Sequence, residues 1–166
     1  MQPDQDIRTE DRLDFDLMDN KLLQKYLLEL KSQRLEFEAV PDDEILERMS
    51  LRRDNRPTLA AVMSFSSCPQ AYFPQWCVTA VVIPGKKMGE TCDEYRFLDN
   101  RRIEGPISEM VAGAVCFVGR NKHKAMRFTE DVKRVDVPEF PLKTVREVVF
   151  NALVHRDYSP YTEGSV

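Results

Sequence analysis

Glu147, Asn151 and His155 stand four residues apart in the run KTVREVVFNALVHRDYS at 143–159. On a helix that spacing stacks them along one stripe, so a single water or ion can meet both the carboxylate and the amide. A carboxylate takes a proton from water, and an amide oxygen is a neutral ligand for Mg²⁺. Glu-x-x-x-Asn is therefore a pattern that can hold an activated water beside a metal-bound phosphate. The other reading is a polar stripe whose groups find ordinary partners within a packed helix. His155 opens the tetrad His155-Arg156-Asp157-Tyr158. His-Arg-Asp also occurs in protein kinase catalytic loops, but the glycine-rich loop, the strand lysine and Asp-Phe-Gly are absent, which excludes a kinase. Asp157 reads as the residue that ends the helix, paired with Arg156 or His155.

One helix must position these groups. Pro141 suits a first turn, and 142–153 contains neither Gly nor Pro. Leu142, Val145, Val148, Val149, Ala152 and Leu153 form a broad apolar face, with Phe150 and Val154 beside the polar stripe. A helix apolar nearly all round is expected to be buried, with its carboxylate and amide partnered.

Upstream, 16–34 is an amphipathic helix with Leu22, Leu23, Tyr26, Leu27 and Leu30 at helical spacing, as core or as a dimer seam. Pro41-Asp42-Asp43-Glu44 starts a short helix ending near Leu51. Arg52, Arg53 and Arg56 follow as a loop cluster, read as a phosphate or DNA contact or as a solvated turn. The run TLAAVMSF at 58–65 reads as a strand buried on both faces. A tight connection at 69–74, a strand at 75–83, a loop at 86–93 and a strand at 94–103 come next, the last with Tyr95, Phe97 and Ile103 inward. Gly105-Pro106 opens a helix striped by Ile107, Met110, Val111, Ala114, Val115 and Val118. After a basic turn at 119–124, which carries an exposed His123, strands at 125–128 and 132–137 flank Glu130-Asp131. This order predicts an α+β fold: a small mixed or antiparallel sheet with helices packed mainly on one face.

The 166 residues, 42% hydrophobic and 31% charged, suit one domain with a modest core, or one domain and a dangling element. A net charge of −4 argues against a dedicated nucleic-acid surface. Basic residues at Arg52, Arg53, Lys86, Lys87, Arg101 and Arg102 could form a local patch. No apolar run approaches the ~20 residues of a membrane span, and MQPDQDIRTEDRLD is too polar for a signal peptide, so the cytoplasm is the expected compartment. Cys68, Cys77, Cys92 and Cys116 lack C-x-x-C spacing and read as free thiols, Cys116 as a small buried hydrophobe.

The string REVVFNALVHRDYS resembles the nucleotide-binding helix of a bacterial family of transcriptional regulators, also labelled RecG-related ATP-dependent DNA helicases. Two further stretches, LRRDNRPTLAAVMSFSSCPQAYFP (51–74) and RRIEGPISEMVAGAVCFV (101–118), resemble that family's middle segment, although Phe65-Ser66 stands where the family often has Phe-Gly. Members carry an amino-terminal AlbA-like, Schlafen-type DNA-binding domain, the middle segment, and a divergent GHKL-type ATPase domain. The resemblance implies a polar linker or disordered end at 1–15, an α+β middle domain at 16–140, and the first helix of an ATPase domain at 141–166. It implies Glu147 as general base and Asn151 as a Mg²⁺ and Mg-ATP ligand, with His155, Arg156 and Asp157 supporting, in the full-length protein alone. The adenine box and glycine-rich lid of such enzymes are absent, so no cofactor is expected in this chain.

Three functions are thus expected to compete. The chain is a piece of a DNA-associated regulator, inactive alone, with DNA held by other domains of its parent; or a nucleotide hydrolase using Glu147 and Asn151; or a homodimerisation scaffold. A homodimer is expected because apolar residues of the last helix would lack a covering sheet.

Overall fold

A computed structural model describes residues 7–83, 97–121 and 141–158, and the backbone alone of 124–128 and 134–138. The loop at 86–93, Tyr95, Cys92, His123 and the Glu130-Asp131 turn lie outside the described residues. The architecture is α+β: five α-helices and three two-stranded antiparallel ladders. The chain divides into two compact units, Met1–Trp76 with Glu104–Ser108 and Asp157–Ser165, and Cys77–Ile103 with Glu109–Arg156 and Val166.

The first unit is built on α1 (Asn20–Gln33). Asp19 caps it, its carboxylate accepting from the Lys21 and Leu22 N–H groups at 2.8 and 3.2 Å. Leu23, Leu27 and Leu30 recur at helical spacing and are buried. Tyr26 sets its ring 5.2 Å from that of Phe65; burial pushes its phenol pKa up, opposed by Arg34.

α2 (Asp42–Arg48) opens with three acids and buries Ile45 and Leu46. It stops at Ser50, whose φ of 56° is left-handed. The Leu51 N–H donates to the Leu46 carbonyl and the Ser50 N–H to that of Glu47, a Schellman closure made without glycine. A hairpin follows, β1 (Arg52–Arg53) paired with β2 (Arg56–Pro57). Asp54 and Asn55 turn it with φ of 50° and 62°, as a two-residue type I′ loop requires.

The apolar run at 58–65 is a helix, α3 (Leu59–Phe65), which corrects the strand expected there. Thr58 decides it. Its buried hydroxyl accepts from the Ala61 N–H at 3.3 Å and donates to the Ser50 carbonyl at 2.9 Å, so it caps a helix at the point where a strand would continue. Leu59, Ala61, Val62 and Met63 are buried. Residues of the polar leading segment are fastened here: the Leu59 N–H donates to the Arg8 carbonyl, Thr9 bridges Thr58, and Leu13 is buried.

A 3₁₀ turn at Pro69–Ala71 carries Gln70, whose buried amide donates to the Trp76 carbonyl (2.7 Å) and the Gly105 carbonyl (3.0 Å) and accepts from the Gly105 N–H (2.8 Å). Gly105 has φ 109°, a backbone state that favours glycine. Phe73 stacks on Trp76 at 3.8 Å, Tyr158 meets the Trp76 ring edge-on at 5.0 Å, and Arg12 sits 4.9 Å from the Phe73 centroid.

In the second unit β3 (Val78–Val82) pairs antiparallel with β4 (Asp99–Ile103), Val78 opposite Ile103 and Val82 opposite Asp99. α4 (Ile107–Asn121) begins in the first unit and runs through the second, burying Met110, Val111, Ala114 and Phe117. Cys116 lies on its outer side and is exposed, correcting the buried position expected for it. Gly113 lets Ile103 approach so closely that a Cβ there would stand 2.5 Å from its Cγ2. The Asn121 amide donates to Asp99 at 2.9 Å and to the Phe117 carbonyl at 3.1 Å. β5 (Lys124–Phe128) and β6 (Arg134–Pro138) form the last ladder, and α5 (Leu142–Val154) follows Pro141.

Candidate functional site

α5 carries the candidate residues, and one face of it is turned inward. Leu142, Val145, Val149 and Ala152 are half-buried and Leu153 is buried. The opposite face holds Glu147 and Asn151, both exposed, one turn apart. Val148, Phe150 and Val154 flank them and are 62%, 48% and 37% exposed. The expected burial of this helix is therefore corrected: apolar residues lie nearly all round it, but only the inner set is covered. Water replaces the protein partners expected for the carboxylate and the amide.

The helix ends at Val154, and the tetrad behind it disperses. His155 is the C-cap, exposed, its N–H bonded to the Asn151 carbonyl at 3.0 Å, which extends the stripe of Glu147 and Asn151 by one step. Arg156 turns away and donates to the Cys77 carbonyl at 3.2 Å. Asp157 is exposed, and Tyr158 is buried on the Trp76 ring edge. Of the five sequence-derived site residues, three thus share a surface. Arg156 has a structural hydrogen bond instead.

Glu147 and Asn151 are hard oxygen donors, the chemistry Mg²⁺ takes, and two such ligands with water filling the rest is an ordinary Mg²⁺ arrangement. No group of three or more His, Cys, Asp or Glu side chains among the described residues could hold a metal. Neither described cavity includes the pair. One, of about 540 Å³, is lined by Asp11, Arg12, Leu13, Asp14, Asp54, Asn55 and Arg56. The other, of about 300 Å³, is lined by Ile7, Glu47, Ser50, Arg52, Arg53 and Thr58.

The arginine cluster beside those cavities is ion-paired. Arg52 meets Asp43 at 2.5 Å, Arg56 meets Asp11 at 3.3 Å, and Arg53 meets Asp54 at 4.0 Å. Arg52 also bonds Asn55 and lies 5.4 Å from the Phe15 ring centroid. Each positive charge on the hairpin already faces a carboxylate, which leaves little field for a phosphate backbone. The acids that do this, Asp11 and Asp43, are distant in sequence from the hairpin. That distance is why the cluster looked unpaired along the chain.

Comparisons with protein-family models, with curated proteins and with solved structures each return no match. Among the described residues no helix is long and apolar enough to cross a membrane.

Proposed function

We propose that this chain is the connecting segment of a DNA-associated, cytoplasmic transcriptional regulator of the RecG-related kind, inactive alone. On this reading α5 is the first helix of a GHKL-type nucleotide site that other parts of the parent protein complete, and DNA is held by other domains of that parent. Asn151 would hold Mg²⁺ and Glu147 would take a proton from water, with His155 beside them. The bound nucleotide would supply the phosphate chemistry. What supports the reading is one observation: Glu147 and Asn151 lie side by side on an exposed helix face flanked by uncovered Val148, Phe150 and Val154. A carboxylate–amide pair with an apolar surround is what a covering nucleotide domain would meet.

Calorimetry with Mg-ATP tests it, on this chain and on the parent protein with its downstream domain. Binding by the parent alone, reduced at least about tenfold by Asn151→Ala, is the expected result, equivalent to about 1.4 kcal/mol. Equal binding by the parent and its Asn151→Ala variant would remove the metal role, and no binding by the folded parent would remove the nucleotide reading.

The same face favours a second reading, a homodimer. An exposed valine–phenylalanine–valine set on one helix is an association surface, and a second copy is the most abundant molecule able to cover it. Light scattering at high micromolar concentration should give a mass above that of the 19.3 kDa chain. A monomer there excludes it.

A further inference from the structure

The exposed face of α5 is arranged symmetrically about Asn151. Glu147 and His155 lie four residues before and after it, and Val148 and Val154 three residues before and after. All five are exposed. Around the helix axis, at about 100° per residue, Glu147 and His155 stand about 40° to opposite sides of Asn151, and Val148 and Val154 about 60°. A two-fold axis through Asn151, perpendicular to the helix, exchanges each member of a pair for the other. We propose that two copies of this chain pair through α5 in antiparallel fashion about that axis, Glu147 of each facing His155 of the other and Val148 of each packing on Val154 of the other.

The proposal rests on the homodimer reading and specifies its geometry. A two-fold interface is isologous: if residue i meets residue j, then j meets i, so a face must be its own complement. This one is. The Glu147 carboxylate accepts, and the His155 ring, as either neutral tautomer or as the cation, has an N–H to donate. The Asn151 amide has both a donor and an acceptor, so it can bond its own symmetry copy. Two valine pairs close the contact on either side. A parallel arrangement would set Glu147 against Glu147 and His155 against His155, which like-charge repulsion disfavours. The surface of a 13-residue helix is smaller than a standard interface, so the dimer is a weak one.

Complementary charge reversal tests the arrangement by sedimentation velocity. E147K places an introduced lysine against His155 twice in its own dimer, and H155E places an introduced glutamate against Glu147 twice. Each variant alone should self-associate about tenfold more weakly than the parent sequence. Mixed in equal amounts they should associate again, because both cross-pairs are then favourable. Circular dichroism of each variant establishes that it is folded. A second measurement uses the axis itself: facing helices 8–10 Å apart, each of about 2.3 Å Cα radius, bring Cα atoms on a two-fold within disulfide reach. N151C, in a background with the four native cysteines replaced by serine, should oxidise to a covalent dimer, and K143C should not. Association of the unaltered chain with no recovery in the mixture and no N151C cross-link would overturn this geometry while leaving the homodimer standing. A monomeric unaltered chain overturns both.

Discussion

The Gln70 side chain faces the backbone of Gly105 much as a neighbouring strand would, giving one hydrogen bond and taking one, with a third to Trp76. All of this is buried, so its loss leaves two carbonyls and an N–H without water to replace the amide. Gln70→Ala should lower stability by about 2–4 kcal/mol, read as a shift of the urea midpoint. Gln70→Glu, although of the same shape, should not rescue it. A carboxylate can accept from the Gly105 N–H but cannot donate to the two carbonyls. Equal stability of Gln70→Glu and the parent sequence would show that the Gly105 N–H is the only partner that counts.

At the scale of elements, α4 and β4 meet at Gly113, where a Cβ would stand 2.5 Å from Ile103 Cγ2. Gly113→Ala therefore gains about 1 kcal/mol of helix propensity but loses about 1–3 kcal/mol to overpacking, for a net loss of up to about 2 kcal/mol. Combining it with Ile103→Ala should give less than the sum of the two single losses in denaturant titrations. Strict additivity would mean that the helix has shifted to accept the methyl group. Much of this level was legible in the sequence. The α1 stripe of Leu23, Leu27 and Leu30, the acidic start of α2, the strands at β3 and β4, the inward Ile103 and the helical stripe of α4 follow from periodicity and breakers. The helix α3 did not. Eight apolar residues fit a buried strand or a buried helix equally by period, and the decision lay in Thr58, whose hydroxyl finds both partners only once Ser50 and Ala61 are placed. The stripe of Glu147, Asn151 and His155 was legible from spacing alone. Its exposure was not, because the count of apolar residues on α5 says nothing of which ones are covered.

The whole molecule carries a net charge of −4, and the arginines of its hairpin are matched by Asp11, Asp43 and Asp54. Any hold on DNA is thus a task for other parts of a parent protein, as proposed above, rather than for this surface. The outward stripe of α5 remains the place where this molecule can be addressed, and it is a single place. Nucleotide and second copy would lie on the same Glu147–Asn151 surface, so the two occupants exclude each other. Reciprocity then makes the ligand a solvent for the dimer, and the dimer a competitor of the ligand. In the parent protein the Mg-ATP concentration at half-saturation should climb as the square root of protein concentration once pairs predominate. Titrations repeated over a hundredfold range of protein check this. A constant midpoint would place the two events on separate surfaces. A rising one would make α5 a gauge of how crowded the protein is with its own kind, releasing it to nucleotide only when copies are scarce.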